Sequence, residues 1–347
     1  MIKLKYDYHA EVDITPYFTW GGWLTKLIPF TNGRAVAFGV GYKNGGSIRE
    51  EGYWLAEVKR EGTTYRILPQ ELTEQLNTLF SRADITGAHE MKIQAFKFGE
   101  QFGLLIGSQF VYLFDDIHAD PRMIEIANHF TLISEKRGGH FIPQRCGNPT
   151  GSLIPVMFSA PHDNLSGARH LSLLEIDEQA GKAKWLHTQA DGCPRCTNIE
   201  EYVPFSNRLG ADRPPIIFDC AWLDSSWFLF VAGFDHVYPR AGVSPSIFTR
   251  NSIDLGLLDT VFQPVDESLA HICISMDSMI ISPYRKNGSR KGKQSIYNFK
   301  EAVEHELSMP RGYTKFSLLE YYDQSYWLTT NAMGYNGMQF DVVVCGV

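Results

Sequence analysis

Residues 321–327 read YYDQSYW, and the same plan, apolar residues on both sides of an acid and a small polar residue, returns in WLDSSWF (222–228) and SMDSMI (275–280). Asp, Asn, Ser and Gly favour turns because they hydrogen-bond their own backbone or tolerate unusual dihedrals, so each copy reads as a tight turn between two apolar strands. Looser copies are FTNGRAVAF (30–38), FGEQFGLLI (98–106) and CGNPTGSLI (146–154). With Asn32, Glu100, Asn148, Asp224, Asp277 and Asp323 as markers, the spacings are 68, 48, 76, 53 and 46 residues. These lie within or somewhat above the range for propeller blades.

Each copy extends the same way. RAVAFGV is followed by the Gly-rich and charged stretch GYKNGGSIREEG, an alternating strand YWLAEVKR, a short turn and TTYRILP. The third copy runs SLIPVMFSA, PHDNLSGAR, HLSLLEIDE and KAKWLHT. Four strands per unit is the make-up of a propeller blade, so the expected fold is an all-β propeller of six four-stranded blades. The expected organisation is a single domain over residues 1–347, with two inserts that account for the long spacings. QELTEQLNTLF (70–80) has apolar residues at helical intervals, and 188–215 reads as an irregular, cysteine-containing connector. The last unit ends one strand short at MQFDVVVCGV, and the alternating IKLKYDY (2–8) is expected to close it as an outer strand, which would cover exposed edges. The WD dipeptide and the paired glycines of kelch units are absent, so the fold rests on period alone; seven irregular blades or two β-sandwich domains are the competing readings.

Composition agrees. The 347 residues include 22 Phe, 16 Tyr, 7 Trp and 30 Gly, a bias toward strands and turns. Six cysteines are too few for a disulfide framework in a chain this long, and MIKLKYDYHAEVD lacks the apolar run of a secretory signal. No stretch of about 18 apolar residues occurs. These features predict a soluble, cytoplasmic protein with no membrane partner, and a formal charge of −7 argues against nucleic acid.

In a propeller, the loop between second and third strands and the connector between blades share one face. That face therefore gathers the long loops, with Tyr42, Lys43 and Arg49, His162, Asp163 and Arg169, Asp235, His236, Tyr238 and Arg240, Tyr284, Arg285 and Lys286, and Tyr335 and Asn336. Tyr, Arg and His suit a recognition surface because they add contact area and bidentate hydrogen bonds. The run RKNGSRKGK (285–293) adds Arg290, Lys291 and Lys293, a set that would attract an acidic or phosphate-bearing protein, although its Asn287–Gly288 is also a hairpin signal.

Catalytic signatures are missing. GxSxG, HExxH and EF-hand patterns do not occur; GSRKGKQS and GVGYKNGG each miss their nucleotide-binding pattern. The repeated Asp224, Asp277 and Asp323 belong to turns on the face opposite the long loops, so they read as turn chemistry. Cys193 and Cys196 form a CPRC knuckle, half of a zinc site, which Cys146, His187 or His140 would have to complete; no cofactor is otherwise expected. Cys220, Cys273 and Cys345 sit in apolar stretches and read as buried thiols. The leading expectation is a non-enzymatic protein that binds another protein through its long-loop face, in the manner of an inhibitor or immunity protein. The alternative is an enzyme acting on a sugar or other small polar substrate at the channel mouth, through His162, Asp163, Asp235 or His236.

Overall fold

The protein is described from a computed structural model covering residues 5–14, 17–19, 21–45, 48–61, 64–68, 70–82, 93–127, 142–147, 149, 151–159 and 170–186, and beyond these the strands named below. The described strands form antiparallel sheets. Sheet 6 has as its outer member β1 (Lys5–Asp13). Sheet 1 contains β2 (Gly22–Phe30), β3 (Arg34–Gly45), β4 (Ile48–Glu61) and β5 (Thr64–Leu68), and is followed by helix α1 (Gln70–Arg82). Sheet 2 contains β6 (Ile93–Phe98), β7 (Gln101–Ile106), β8 (Phe110–Phe114) and β9 (Arg122–Glu125). Sheet 3 contains β10 (Ile142–Cys146), β11 (Leu153–Ser159), β12 (His170–Asp177) and β13 (Lys182–Trp185), with the two-residue β14 (Thr197–Asn198) also paired to β12.

Sheet 4 contains β15 (Ile216–Trp222), β16 (Trp227–Gly233), β17 (Ile247–Ser252) and β18 (Leu257–Phe262). Sheet 5 contains β19 (Ser268–Ser275), β20 (Ser278–Tyr284), β21 (Ser295–Asn298) and β22 (Val303–Glu306). Sheet 6 is completed by β23 (Leu318–Tyr322), β24 (Ser325–Gly334) and β25 (Gly337–Gly346), in the order β1-β25-β24-β23. Consecutive strands pair within every sheet, and the first strands contact one another around a ring: β2 with β6, β6 with β10, β15 with β19, β19 with β23, and β23 with β2; sheet 3 meets sheet 4 through β11 and β15. The fold is a β-propeller. The N-terminal strand closes it as the alternation of IKLKYDY predicts, with Tyr8 opposite Val344 and Val12 opposite Phe340.

Period-2 alternation explains the strands, and burial on both faces explains why several read as apolar runs. In β4, Tyr53, Trp54, Leu55, Ala56 and Val58 are all buried, since neighbouring sheets press on both sides. Between sheets 1 and 2, Phe38 stacks on Tyr53 at 5.6 Å between ring centres, and Phe80 of α1 meets Tyr53 edge-on at 6.2 Å. Leu72, Leu76 and Phe80, at helical spacing, bury the inner stripe of α1 against this cluster. Between sheets 2 and 3, Phe96, Phe98, Ile124, Ile154, Phe158 and Trp185 pack directly, sheet on sheet.

Two of the tightest approaches need glycine. A Cβ on Gly41 would lie 2.3 Å from the Phe18 ring, and one on Gly103 would lie 2.4 Å from the Phe96 ring. An aromatic ring covers each bare backbone position instead.

Candidate functional site

Strand direction decides which connectors share a face. Between the described strands, connectors from first to second and from third to fourth strands emerge together, and none of these exceeds the seven residues 115–121. The opposite face carries 69–92, 126–141, 160–169, 186–215, 234–246, 285–294 and 307–317, each ten residues or longer. His162, Asp163 and Arg169 fall in 160–169; Cys193 and Cys196 in 186–215; Asp235, His236, Tyr238 and Arg240 in 234–246; Arg285, Lys286, Arg290, Lys291 and Lys293 in 285–294. All of these, with Tyr335 and Asn336, lie outside the described residues, as do His140 and His187.

Two expected loops are shorter than the sequence suggested. GYKNGGSIREEG belongs to one long hairpin: β3 and β4 pair from Arg34 opposite Lys59 to Gly45 opposite Ile48, leaving only 46–47 between them. Tyr42 stands opposite Glu51, Lys43 opposite Glu50 and Arg49 opposite Asn44. Opposite charges facing each other across an antiparallel pair support a strand, and this is why the charged stretch is not a loop. Tyr42 is half-buried, its backbone N–H donating to Gly21 O at 2.8 Å, and Lys43 is exposed. The connector 335–336 around Tyr335 is likewise two residues long, and Tyr284 is the last residue of β20.

Cys146, the candidate third ligand for the CPRC knuckle, lies among the described residues, whereas Cys193 and Cys196 do not. It is buried in the apolar cluster between sheets 2 and 3, and burial pushes its thiol up to about 12. Cys146 pairs with Val156 and Val156 with Ser172, while Thr197, next to Cys196, pairs with Leu171. Among the described residues no group of His, Cys, Asp and Glu is arranged to hold a metal ion.

A polar site that the motif search passed over lies at the junction of sheets 1 and 2. Glu57, in the apolar run of β4, is 5% exposed and accepts from Arg34 Nε at 2.8 Å and Nη2 at 2.7 Å. Its other oxygen meets His118 Nε2 at 3.0 Å. The turn 115–121 presents His118, whose backbone N–H donates to Asp116 Oδ1 at 3.0 Å. An acid inside YWLAEV and a base opening RAVAF were the available signal. Beside this cluster, a cleft of about 460 Å³ opens between α1 and the turn, floored by Leu55, Leu76 and Phe114 and rimmed by Glu74, Arg82, His118 and Asp120. Thr78, the hydroxyl on the helix side, donates to Glu74 O at 2.9 Å, and no nucleophile stands beside the imidazole among the described residues. The arrangement holds a ring in place; it does not assemble a hydrolytic centre.

The short-turn face is cross-braced from sheet 1 to sheet 3. Lys97 Nζ donates to Pro29 O at 2.9 Å and sits over the Phe30 ring, and Thr31 N–H donates to Glu100 Oε2 at 3.2 Å. Gln101 bonds both Asp115 and Glu178, and Arg122 pairs with Glu178 at 2.9 Å. Asp224, Asp277 and Asp323 fall in the connectors 223–226, 276–277 and 323–324, outside the described residues.

No family model and no curated protein sequence matches the chain. Among solved structures it is similar to the β-propeller domain of Cps50 (Swd1) from Myceliophteria thermophila, at 10% identity and a TM-score of 0.42, over 96% of this chain and 99% of that one. Among the described residues no helix is long and apolar enough to cross a membrane.

Proposed function

We propose that the chain is a single propeller domain that works in the cytoplasm by binding another protein with its long-connector face. The observation that carries this reading is the asymmetry of the connectors between the described strands: seven of ten residues or more on one side, none above seven residues on the other. Long connectors on a rigid scaffold are where recognition residues concentrate. Connector 285–294 contains Arg285, Lys286, Arg290, Lys291 and Lys293, and within this reading the partner presents an acidic surface to them. A rigid disc with one elaborated face suits occlusion, and within this reading the protein caps its partner as an inhibitor or immunity protein does.

The test is affinity capture from native lysate at low salt, with the wild type beside a variant neutralised at those five positions. A stoichiometric protein retained by the wild type and lost from the variant supports the reading. Absence of any stoichiometric partner from the wild-type column overturns it. The enzymatic alternative at the channel mouth, through His162, Asp163, Asp235 or His236, requires alanine substitutions there to abolish a turnover without unfolding the protein.

A further inference from the structure

The cleft between α1 and the turn 115–121, about 460 Å³, falls in the size range of small-molecule sites, about 300–1,000 Å³. Its lining has two levels. Leu55 of β4, Leu76 of α1 and Phe114 of β8 form an apolar floor, and all three are buried. The rim is polar, with Glu74 and Arg82 on the helix and His118 and Asp120 on the turn. A ligand with an apolar body and one polar head matches both levels.

The hydrogen-bonding state of the rim specifies that head. His118 Nε2 meets Glu57 Oε2 at 3.0 Å, and a carboxylate only accepts, so Nε2 carries the hydrogen and the neutral ring keeps Nδ1 as an acceptor. Among the described residues no group donates to Nδ1. Glu57, 5% exposed and itself held by Arg34 at 2.7 Å, fixes the ring in that state. Glu74 has no ion pair among the described residues. Asp120 meets only Arg82, at 3.8 Å, with both side chains well exposed, a contact of the kind that water and salt weaken. Two carboxylates and an imidazole acceptor thus stand against a single guanidinium. The last turn of α1, the negative end of its dipole, borders the cleft at Leu79 and Arg82 and adds to the same sign.

We propose that this cleft binds a small primary amine with an apolar body. The body rests on Leu55, Leu76 and Phe114, and the ammonium, which has three donors and no acceptor, lies at the rim where Glu74, Asp120 and His118 supply acceptors. Arg82 competes with the ligand for Asp120, so the amine displaces a weak, exposed ion pair, and affinity in the roughly millimolar range is expected. The amine site does not rest on the protein-binding reading, and failure of either leaves the other standing.

The experiment titrates the purified full chain with phenethylamine, with the neutral phenylethanol and with the anionic phenylacetate, followed by ligand-observed NMR and calorimetry. The expected result is saturable binding of phenethylamine, with the other two weaker by about tenfold or more. Glu74→Gln and Asp120→Asn should each weaken the amine by about threefold, and Arg82→Gln should tighten it by a similar factor, since the competing cation is gone. These opposite signs separate recognition from general disturbance of the helix. Absence of saturation by phenethylamine below about 10 mM overturns the proposal, as does equal binding of phenylethanol or phenylacetate, unchanged binding in Asp120→Asn, or a loss in Arg82→Gln. Should Glu74→Gln lower the helical signal in circular dichroism, Asp120→Asn, a change at an exposed side chain of the turn, decides in its place.

Discussion

The junctions on the two sides of sheet 2 are closed by different means. Toward sheet 3 the sheets meet directly: Ile126 bridges Ala183, Trp185 Nε1 donates to Ser108 O at 3.2 Å, and Phe158 meets the Trp185 ring at 5.2 Å. Toward sheet 1 a helix fills the wedge, and the polar cluster of Arg34, Glu57 and His118 sits where the filling is incomplete. Sheets splayed about an axis diverge at the perimeter. A junction either draws its outer strands together or inserts something, and the insertion leaves a cleft.

The comparison is broken most severely through Trp185. It is 1% exposed, so Trp185→Ala should cost about 3–5 kcal/mol in denaturant-unfolding free energy, because no mobile element can close the void. Phe80→Ala, on the helix side, should cost less, near the lower end of that range at roughly 3 kcal/mol, since α1 can shift into the space. Equal losses would mean that α1 is held as rigidly as the strands.

Next in size are the glycines under aromatic rings. Gly103→Ala should lose about 1–3 kcal/mol because the Phe96 ring must move, whereas Gly151→Ala, with open space around it, carries only the strain of its φ of +53°. Thermal midpoints of the two variants measure the difference; a smaller loss at Gly103 would show that the ring yields freely.

Glu57→Gln should cost about 1.5–3 kcal/mol, the range for hydrogen bonds to charged groups, placed toward its lower end because Arg34 and His118 are partly exposed and can be rehydrated. A double-mutant cycle with His118→Ala checks whether the two are coupled through the carboxylate.

What the chain reveals in advance depends on how local the cause is. The turn motif, the helical spacing of Leu72, Leu76 and Phe80, and the alternation that brings β1 onto β25 are set by neighbours in sequence, and all are legible there. The β3–β4 hairpin was obscured because Lys43, Arg49 and Glu50 look like loop chemistry until the register pairs them. Glu57 and Arg34 are 23 residues apart, and Glu57 and His118 are 61 apart, so only the packing of sheets 1 and 2 reveals that three unremarkable polar residues are one cluster. The bulges of the inner strands are equally hidden. Nothing in TKL, QRC or FDC marks a slip in register until the second strand is laid beside it.

The smallest effect tests how dry the junction of sheets 2 and 3 is. Burial raises the Cys146 thiol from 9.0 to about 12, and Lys26 opposes the shift without cancelling it. Between those values the unfolded chain has lost a proton that the folded chain keeps, so stability falls as pH rises from about 9. At pH 10 the loss from this thiol should be about 1.4 kcal/mol, and below pH 8 it should vanish. Tyrosines and lysines titrate in the same range, which makes the difference between wild type and Cys146→Ala the quantity to measure. Urea midpoints at pH 7.5 and pH 10 should converge as the wild type loses stability that the variant never had. Parallel curves would mean that water reaches the thiol, and that the directly packed junction is no drier than the one the helix fills.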